Sequence, residues 1–330
     1  MPDDRPRLEV KRHLGRADIA AVTELLALAS QADGHHPLDE HQWLDLVQGG
    51  REGFAGLVAW EPGHEHPVGY AQLSREQGRS GSWALEFVVD PHHRDDDPQI
   101  GLRLVEAALD EVRAEGGGHV HLWVPKPTPL HDHIAEAAGL RRGRQLYQFR
   151  RPLPLKEATD LPVRPFMPGF DEEPWLAVNN RAFRWHDEQG GWDLETLQAR
   201  QAQDWFDPAG FLLHERNQRL AGFCWTKVHA DHDPPLGEIY VVAVDPDFQG
   251  QGLGRKLVVA GLDWLWRNGI EVGMLYVDRD NAPAVRLYES LGFTLDHIDQ
   301  AYVGDIEPGD PNEPGDLDQP TPTPTADPRA

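Results

Sequence analysis

Hydrophobic and polar positions along the chain follow two patterns, and each pattern occurs twice. Short, mostly apolar runs, typical of buried strands, cover residues 84–89, 120–124, 238–244 and 272–277. Longer amphipathic stretches with helical spacing follow the first run of each pair, at 100–111 and 253–267. Strands that alternate with helices in this order predict an α/β fold with a mixed sheet.

A weak internal repeat links the two halves of the chain. Three landmarks recur in the same order, 153 to 155 residues apart: Gly69 and Gly222, Asp90-Pro91 and Asp245-Pro246, Gly139-Leu140 and Gly292-Phe293. A proline-punctuated stretch at 151–162 separates the halves. We therefore expect two domains of like fold, residues 1–155 and 156–304, each with a mixed central sheet flanked by helices.

Composition narrows the class of protein. Of the 330 residues, 39% are hydrophobic and 26% charged, as in a soluble globular protein. The net charge of −24 argues against nucleic acid or an anionic membrane as partner; it fits a cationic substrate, or simply a soluble surface. No apolar run is long enough to span a membrane, residues 1–16 lack the apolar segment of a signal peptide, and Cys224 is the single cysteine. We expect a cytoplasmic monomer.

The C-terminal end of the chain differs in composition from the rest. Residues 305–330 contain seven acids, seven prolines and one arginine, with a Thr-Pro run near the end. Such a segment cannot bury enough apolar surface to fold. We expect it to be a disordered acidic tail.

The most informative motif lies between a strand pattern and a helix pattern, at 241–257. Three glycines, at 250, 252 and 254, precede the helix, whose positive N-terminal end favours anions. Glycines permit positive φ and let backbone N–H groups approach a ligand, so the loop predicts a pyrophosphate cradle. It lacks the Gly-Lys-Ser/Thr of a P-loop and the Gly-x-Gly-x-x-Gly spacing of a dinucleotide fold. A purely structural glycine turn stays open.

Two motifs together resemble the GNAT superfamily of N-acetyltransferases. Gln249-x-x-Gly252-x-Gly254 is similar to its acetyl-CoA loop, and 280–293, with Asn281, Leu287-Tyr288 and Gly292-Phe293, is similar to its second signature. The resemblance implies tandem GNAT domains and acetyl-CoA as co-substrate, with no metal. It implies cofactor contacts at Val242, Ala243, Val244, Gln249, Gly250, Gln251, Gly252, Leu253, Gly254, Arg255, Asn281, Ala282, Pro283, Ala284, Val285 and Arg286.

Other segments of the second half resemble, more narrowly, the mycothiol synthase family of tandem GNAT enzymes: 182–192, 222–229 and 237–242. That family acetylates the cysteinyl amine of cysteinyl-glucosaminyl-inositol, the last step of mycothiol assembly. By position, the resemblance implies an acceptor pocket made by Glu40, Glu188, Lys227, Glu238 and Tyr276. A surface ion pair is the alternative for any one of these residues.

The resemblance also implies a mechanism, direct transfer in a ternary complex. Glu238 would accept the proton of the amine, directly or through a water, and Tyr288 would protonate the leaving thiolate. A strand N–H near Val242 would stabilise the oxyanion. A core aromatic is the alternative for Tyr288. Cys224 lies in an apolar strand pattern, so we expect a core residue and no covalent enzyme intermediate.

The first half departs from the superfamily pattern. After Asp90-Pro91 it keeps one glycine, Gly101, and three aspartates at 95–97 stand where phosphates would lie. Ala135 takes the place of Tyr288, and the position matching Glu238 lies near Trp83. We expect this half to shape the substrate site rather than to catalyse, with acetyl-CoA binding there left open.

Three groups of histidines lie close together in the sequence and could suggest a metal site. The spacings of His92-His93, His131-Asp132-His133 and His229-x-x-His232 fit no closed zinc set with one cysteine, so we expect loop histidines.

The alternatives to mycothiol chemistry are acetylation of another amine, such as a protein N-terminus or an aminoglycoside, and a non-catalytic CoA-binding sensor. The sensor is disfavoured because it would need neither Glu238 nor Tyr288.

Overall fold

The computed structural model describes residues 6–61, 63, 66–75, 81–94, 99–184 and 189–309. The strands in this part of the chain are β1 (Arg7–Lys11), β2 (Phe54–Trp60), β3 (Gly69–Arg75), β4 (Trp83–Val89), β5 (Gly118–Pro125), β6 (Arg141–Pro152), β7 (Arg164–Pro165), β8 (Phe211–Arg216), β9 (Arg219–His229), β10 (Leu236–Val244), β11 (Val272–Asp278) and β12 (Thr294–Ile306). The helices are α1 (Arg16–Asp33), α2 (Glu40–Val47), α3 (Gln99–Ala114), α4 (Pro129–Ala137), α5 (Glu172–Ala182), α6 (Leu194–Gln201), α7 (Leu253–Arg267) and α8 (Ala282–Ser290).

All of these strands form one sheet, in the order β1-β2-β3-β4-β5-β12-β6-β11-β10-β9-β8-β7. Neighbouring strands are antiparallel except for β4 with β5 and β10 with β11, which are parallel. The prediction of an α/β fold with a mixed sheet is therefore confirmed.

The last strand of each half pairs with the other half. β6 lies beside β11, and β12 lies beside β5, while β6 and β12 also pair with each other in the middle of the sheet. The patterns along the chain predicted a separate sheet for each half, and the two are joined into one by this exchange. The domain bounds at 155 and 156 stay a prediction.

The predicted acidic tail falls mostly beyond the part of the chain that the structure describes. Residues 310–330 lie outside the described residues. At the start of the predicted segment, Asp305 and Ile306 belong to β12 and pair with β5.

Helices cover the two faces of the sheet. On one face, α3 and α4 pack over the first half and α7 and α8 over the second, each pair over its own apolar cluster. On the other face, α1 contributes Val22 and Leu25 to a cluster with Phe54 and Val58, and α5 contributes Trp175 to an aromatic cluster with Trp225. Strand residues alternate between these clusters with period two, which explains their near-continuous apolar runs.

The second half contains a bulge that the first half lacks. In the pairing of β9 with β10, one extra residue, Tyr240, lies between Ile239 and Val241, whereas β3 and β4 pair without interruption. Because of this insertion, the residue of the first half that matches Glu238 in register is Ala84, which follows Trp83 directly.

Candidate active site

The strands β10 and β11 diverge where the cofactor was expected. Their parallel ladder runs from Leu236 and Val272 to Glu238 and Met274 and ends there. Beyond this point the main chain of β10, including Val242–Val244, faces the gap without a partner from β11. The gap has the polar backbone edge that a pantetheine arm requires, and its two strands carry side chains toward both faces of the sheet.

The glycine loop after β10 forms a cradle at the start of α7. Gly250 and Gly252 adopt left-handed conformations, with φ of 76° and 72°, and Gly252 is the residue that precedes the helix. At such a terminus the first N–H groups, from Leu253 onward, have no partner within the helix. Gln249 closes the turn, since its Nε2 donates to the carbonyl of Val244 at 3.3 Å. The loop therefore offers backbone donors and a helix dipole to an anion.

The basic residues beside the cradle are engaged with the protein. Arg255 donates to both carboxylate oxygens of Glu157, at 2.9 and 2.6 Å, and to the hydroxyl of Ser290 at 2.7 Å. Lys256 lies 3.1 Å from Asp160. These pairs tie the linker between the halves to the start of α7, and leave the backbone as the main donor set toward a pyrophosphate.

The helix α8 places Tyr288 in the apolar cluster that it shares with α7. Asn281 caps this helix by accepting the N–H of Ala284 at 3.3 Å. Tyr288 is buried, and its ring packs edge-on against Phe293 at 5.9 Å. Burial raises the pKa of the Tyr288 phenol above its ordinary value, with a smaller effect from the nearby Cys224. The phenol therefore keeps its proton at neutral pH, as a general acid must.

Cys224 itself lies in the core. It is buried on β9, and burial raises the pKa of its thiol to about 12. A thiol that stays protonated is a poor nucleophile. Its position agrees with the expectation of a core cysteine.

Glu238 lies on the opposite face of the sheet from Tyr288. Its neighbour Ile239 packs toward α7, so the alternation along β10 directs Glu238 to the other side. The carboxylate is buried, and its Oε2 lies 2.8 Å from Nε2 of His229. Lys227, directly across the strand pair, shares this face. A buried carboxylate next to a gap in the sheet is well placed to take a proton.

Glu40 reaches this face from the first half of the chain. Its carboxylate accepts from Lys227 at 3.1 Å, from the hydroxyl of Tyr240 at 2.8 Å and from Nε1 of Trp205 at 2.9 Å. Burial alone would raise the pKa of Glu40, but the Lys227 charge and the Tyr240 hydroxyl lower it below its ordinary value. Glu40 is thus an ionised group that joins the two halves.

A second cation from α6 supports the same cluster. The buried Arg200 stacks on the Trp192 ring at 4.0 Å and donates to Tyr240 at 3.1 Å. It also donates to Nε2 of His41 at 2.7 Å. Burial and the charge of Arg200 lower the pKa of His41, so the imidazole is neutral and accepts this bond.

Tyr276 marks the open part of this face. Leu275 and Val277 pack toward α7 and α8, so Tyr276 points the other way, where it is 42% exposed. Its hydroxyl accepts from Gln148 of β6 at 2.7 Å. This face of the sheet is therefore open to solvent at Tyr276. Glu188, the remaining expected pocket residue, lies outside the described residues.

The structure thus brings four of the expected acceptor residues to one face: Glu40, Lys227, Glu238 and Tyr276. The sequence reasoning missed His229, Tyr240, Trp205 and Arg200 as their partners. One signal was readable for His229, because Lys227-Val228-His229 puts two polar side chains on the same face of a strand. The bulge at Tyr240 and the approach of α6 leave no such mark in the local pattern.

The equivalent turn of the first half keeps its frame but not its cradle. Arg94 takes the place of Gln249, with Nε donating to the carbonyl of Val89 at 2.9 Å, and it pairs with Asp33 of α1 at 2.6 Å. The aspartates at 95–97 lie outside the described residues. Ala135 is buried where α8 has Tyr288.

Two features are absent from the part of the chain that the structure describes. No group of three or more His, Cys, Asp or Glu side chains there has the arrangement of a metal site. Likewise, none of the helices found in those ranges combines the length and apolarity needed to cross a bilayer.

Comparison with known proteins identifies the family. Residues 178–293 match the acetyltransferase (GNAT) family. A mycothiol acetyltransferase from Acidimicrobium ferrooxidans is 46% identical over 294 residues, which cover 86% of this chain and 93% of the relative. One from Thermobispora bispora is 46% identical over 305 residues, 90% of this chain and 98% of the relative.

The chain belongs to the mycothiol acetyltransferase family. The resemblance to that family in the sequence is thereby confirmed, as is the expectation of an N-acetyltransferase. GNAT acetyltransferases use acetyl-CoA, which fits the cradle and the backbone edge described above.

Solved structures support the fold of this mycothiol acetyltransferase family member. A GCN5-related N-acetyltransferase from Sphaerobacter thermophilus superimposes with a TM-score of 0.67 at 23% identity, covering 94% of this chain and 98% of its own. A tandem GNAT protein from the clavulanic acid pathway gives 0.66 at 18% identity, covering 92% and 100%. The expectation of a tandem GNAT fold is confirmed.

Proposed function

We propose that the protein transfers the acetyl group of acetyl-CoA to the cysteinyl amine of cysteinyl-glucosaminyl-inositol, completing mycothiol. Family membership supports the reaction class. The observation that carries the proposal is the gap between β10 and β11, which has Glu238 on one face of the sheet and Tyr288 on the other.

In this arrangement the two substrates approach from opposite faces. The cradle at Gly250–Leu253 and the free edge of β10 would bind the pyrophosphate and the pantetheine arm. The acceptor would lie on the face that carries Lys227, Glu238 and Tyr276. Positioning of both reactants at one gap makes the transfer effectively unimolecular.

This geometry supports a specific pair of proton transfers. A new C–N bond forms as the amine attacks the thioester carbon, and the C–S bond breaks. Glu238 takes the proton that the amine loses, and Tyr288 donates its phenolic proton to the departing sulfur. A strand N–H near Val242 would stabilise the oxyanion. With Cys224 protonated in the core, we propose direct transfer without an acyl-enzyme.

A thiol-release assay with purified protein and acetyl-CoA, with and without cysteinyl-glucosaminyl-inositol, tests the proposal. We expect turnover that depends on the acceptor and that collapses in Glu238→Gln. The matched control is the wild-type protein incubated with a des-amino acceptor, which offers no amine nucleophile and should give no acetyl transfer. Turnover only with an aminoglycoside or a peptide N-terminus would replace the acceptor and keep the enzyme class. Acetyl-CoA binding without turnover on any amine would favour a sensor.

A further inference from the structure

A second buried carboxyl lies on the acceptor face, in the half without the cradle. Glu86 of β4 is 4% exposed. Its neighbours Leu85 and Phe87 pack toward α3, so Glu86 points to the same face of the sheet as Glu238. The proposed chemistry makes no use of it, yet a buried carboxyl needs a partner to be tolerated.

The partner of Glu86 is the turn that starts α2. Its Oε2 accepts the backbone N–H of Asp39 at 2.9 Å. Asp39 caps α2, since its Oδ1 accepts the N–H of Gln42 at 2.7 Å. Gln72, which pairs with Glu86 across β3 and β4, donates to the carbonyl of Gln42 at 2.7 Å. Two paired residues on adjacent strands thus hold the first turn of this helix.

Glu40 is the first residue of that helix and follows Asp39 directly. It is also the residue that reaches into the second half, to Lys227 and Tyr240. Lys227 in turn lies across the strand pair from Glu238. An unbroken series of contacts therefore runs from Glu86 through the turn to the residues beside the proposed base.

We propose that Glu86 is a positioning residue of the acceptor site: by holding the Asp39 N–H it fixes the turn that presents Glu40 to Lys227 and Tyr240. The inference rests on the proposed function, and it gives the half without a cradle a definite part in acceptor binding. Glu86 acts through Glu40 and touches neither substrate.

The state of the carboxyl suggests the right substitutions. Burial raises the pKa of Glu86 well above its ordinary value, the Asp39 and Asp299 carboxylates raise it further, and the bond from the Asp39 N–H offsets part of this rise. The shift favours the neutral form of the side chain, which glutamine matches in shape and in its accepting oxygen. Alanine removes the acceptor, and methionine removes it while filling the same volume.

Hydrogen exchange tests the structural link without any substrate. We expect amides of the first turn of α2, residues 39–43, to exchange about ten-fold faster in Glu86→Ala and Glu86→Met, the order of effect of one lost hydrogen bond. Glu86→Gln should stay within about two-fold of wild type. Unchanged exchange in both Ala and Met variants would overturn the proposal.

Steady-state kinetics test the functional link on the same proteins. We expect Glu86→Ala to raise KM for the amine acceptor about ten-fold and to leave KM for acetyl-CoA within about two-fold, with recovery in Glu86→Gln. Tyr302→Phe, which removes a buried hydroxyl that donates to Asp132 on the other face, is the control for a general loss of packing. Equal rises in both KM values, or no recovery with glutamine, would show a merely structural role. A wild type inactive on the acceptor rejects the proposed function, while the exchange experiment still decides the link.

Discussion

The two halves of this protein share a frame and differ in what they attach to it. In both, a side chain that follows the Asp-Pro turn bonds back to the end of the preceding strand: Gln249 to Val244 and Arg94 to Val89. The first half keeps this closure although it has only one glycine after the turn, Gly101. The first residue of the cofactor motif therefore has a structural role of its own, separate from anion binding.

The aspartates that start these turns also share a structural role and differ in their partners. Asp245 and Asp90 are both buried caps, each accepting an N–H from the residue two positions on. Asp245 is paired with Arg181 at 3.2 Å, whereas Asp90 is surrounded by three histidines at 3.1 to 3.8 Å. A guanidinium group keeps its charge at any pH of interest, whereas an imidazole is charged only when it is protonated. The permanent positive charge therefore lies beside the Asp245 cap and not beside the Asp90 cap.

Removal of one buried hydroxyl from the core cluster of each half should separate the two halves most clearly. Tyr288 packs in the core cluster of the second half, and Tyr302 in that of the first. We expect Tyr288→Phe to lower kcat by about 10²–10⁴-fold, the usual contribution of a general acid, and Tyr302→Phe to leave it within about two-fold. Rates of thiol release measure both. Similar losses in the two variants would remove Tyr288 from the proposed mechanism.

The ion pair that joins the halves offers the next largest effect. Lys227 and Glu40 are 14% and 20% exposed and share Tyr240 as a neighbour. A double-mutant cycle with Lys227→Met and Glu40→Gln should give a coupling of about 1–3 kcal/mol in urea unfolding. A value near zero would mean that the pair contributes to the site without joining the halves.

Replacement of Gly252 in the cradle should weaken the binding of acetyl-CoA. Gly252 and Gly269 both adopt positive φ, 72° and 85°, and no atom lies within 4 Å of the position that a Cβ would take at either residue. Each alanine variant should lose about 1–2 kcal/mol of stability from backbone strain. Only Gly252→Ala should also raise KM for acetyl-CoA. A matching rise in Gly269→Ala would place the effect in global stability instead.

The smallest expected effect concerns acid stability. Burial alone would raise the pKa of Asp90, but bonds from His92 and the charges of His93 and His66 lower it below its ordinary value. Its stabilisation is therefore complete above the unfolded pKa, near about 4, and is lost as pH falls through the folded value.

Asp90→Asn should therefore lower Tm at neutral pH, through a loss of about 1.4 kcal/mol of stability for each unit by which the folded pKa lies below the unfolded one. Below about pH 4, the Tm of the variant should decline less steeply than that of the wild type. Thermal melts from about pH 3 to 7 check this. An unchanged acid limb in the variant would assign that decline to other carboxylates.

The local parts of this structure were readable from the chain. The predicted helix at 253–267 is confirmed as α7 with the same bounds, because glycines lie directly before its amphipathic run and Gly269 lies just after it. The placement of the cradle and Tyr288 on consecutive helices, α7 and α8, followed from motif order. Each of these features depends on residues near one another in sequence.

Features that depend on distant pairing were not readable. The exchange of β6 and β12 places Tyr147 beside both Val277 and Ile298, and nothing in an apolar alternation names its partner strand. The bulge at Tyr240 decides which residue near Trp83 is the equivalent of Glu238, namely Ala84. Glu40 contacts Trp205, and no sequence pattern around either residue indicates the other as its partner.

The exchanged strands also set an order of events during synthesis. The edge of β5 receives its neighbour, β12, only when residues 294–306 have left the ribosome. Until then the first half has an open strand edge, the kind of surface that invites mispairing and that chaperones protect. A gene cut between the halves would leave each fragment with a last strand that pairs with the other fragment, so the two would have to be produced together to form the complete sheet.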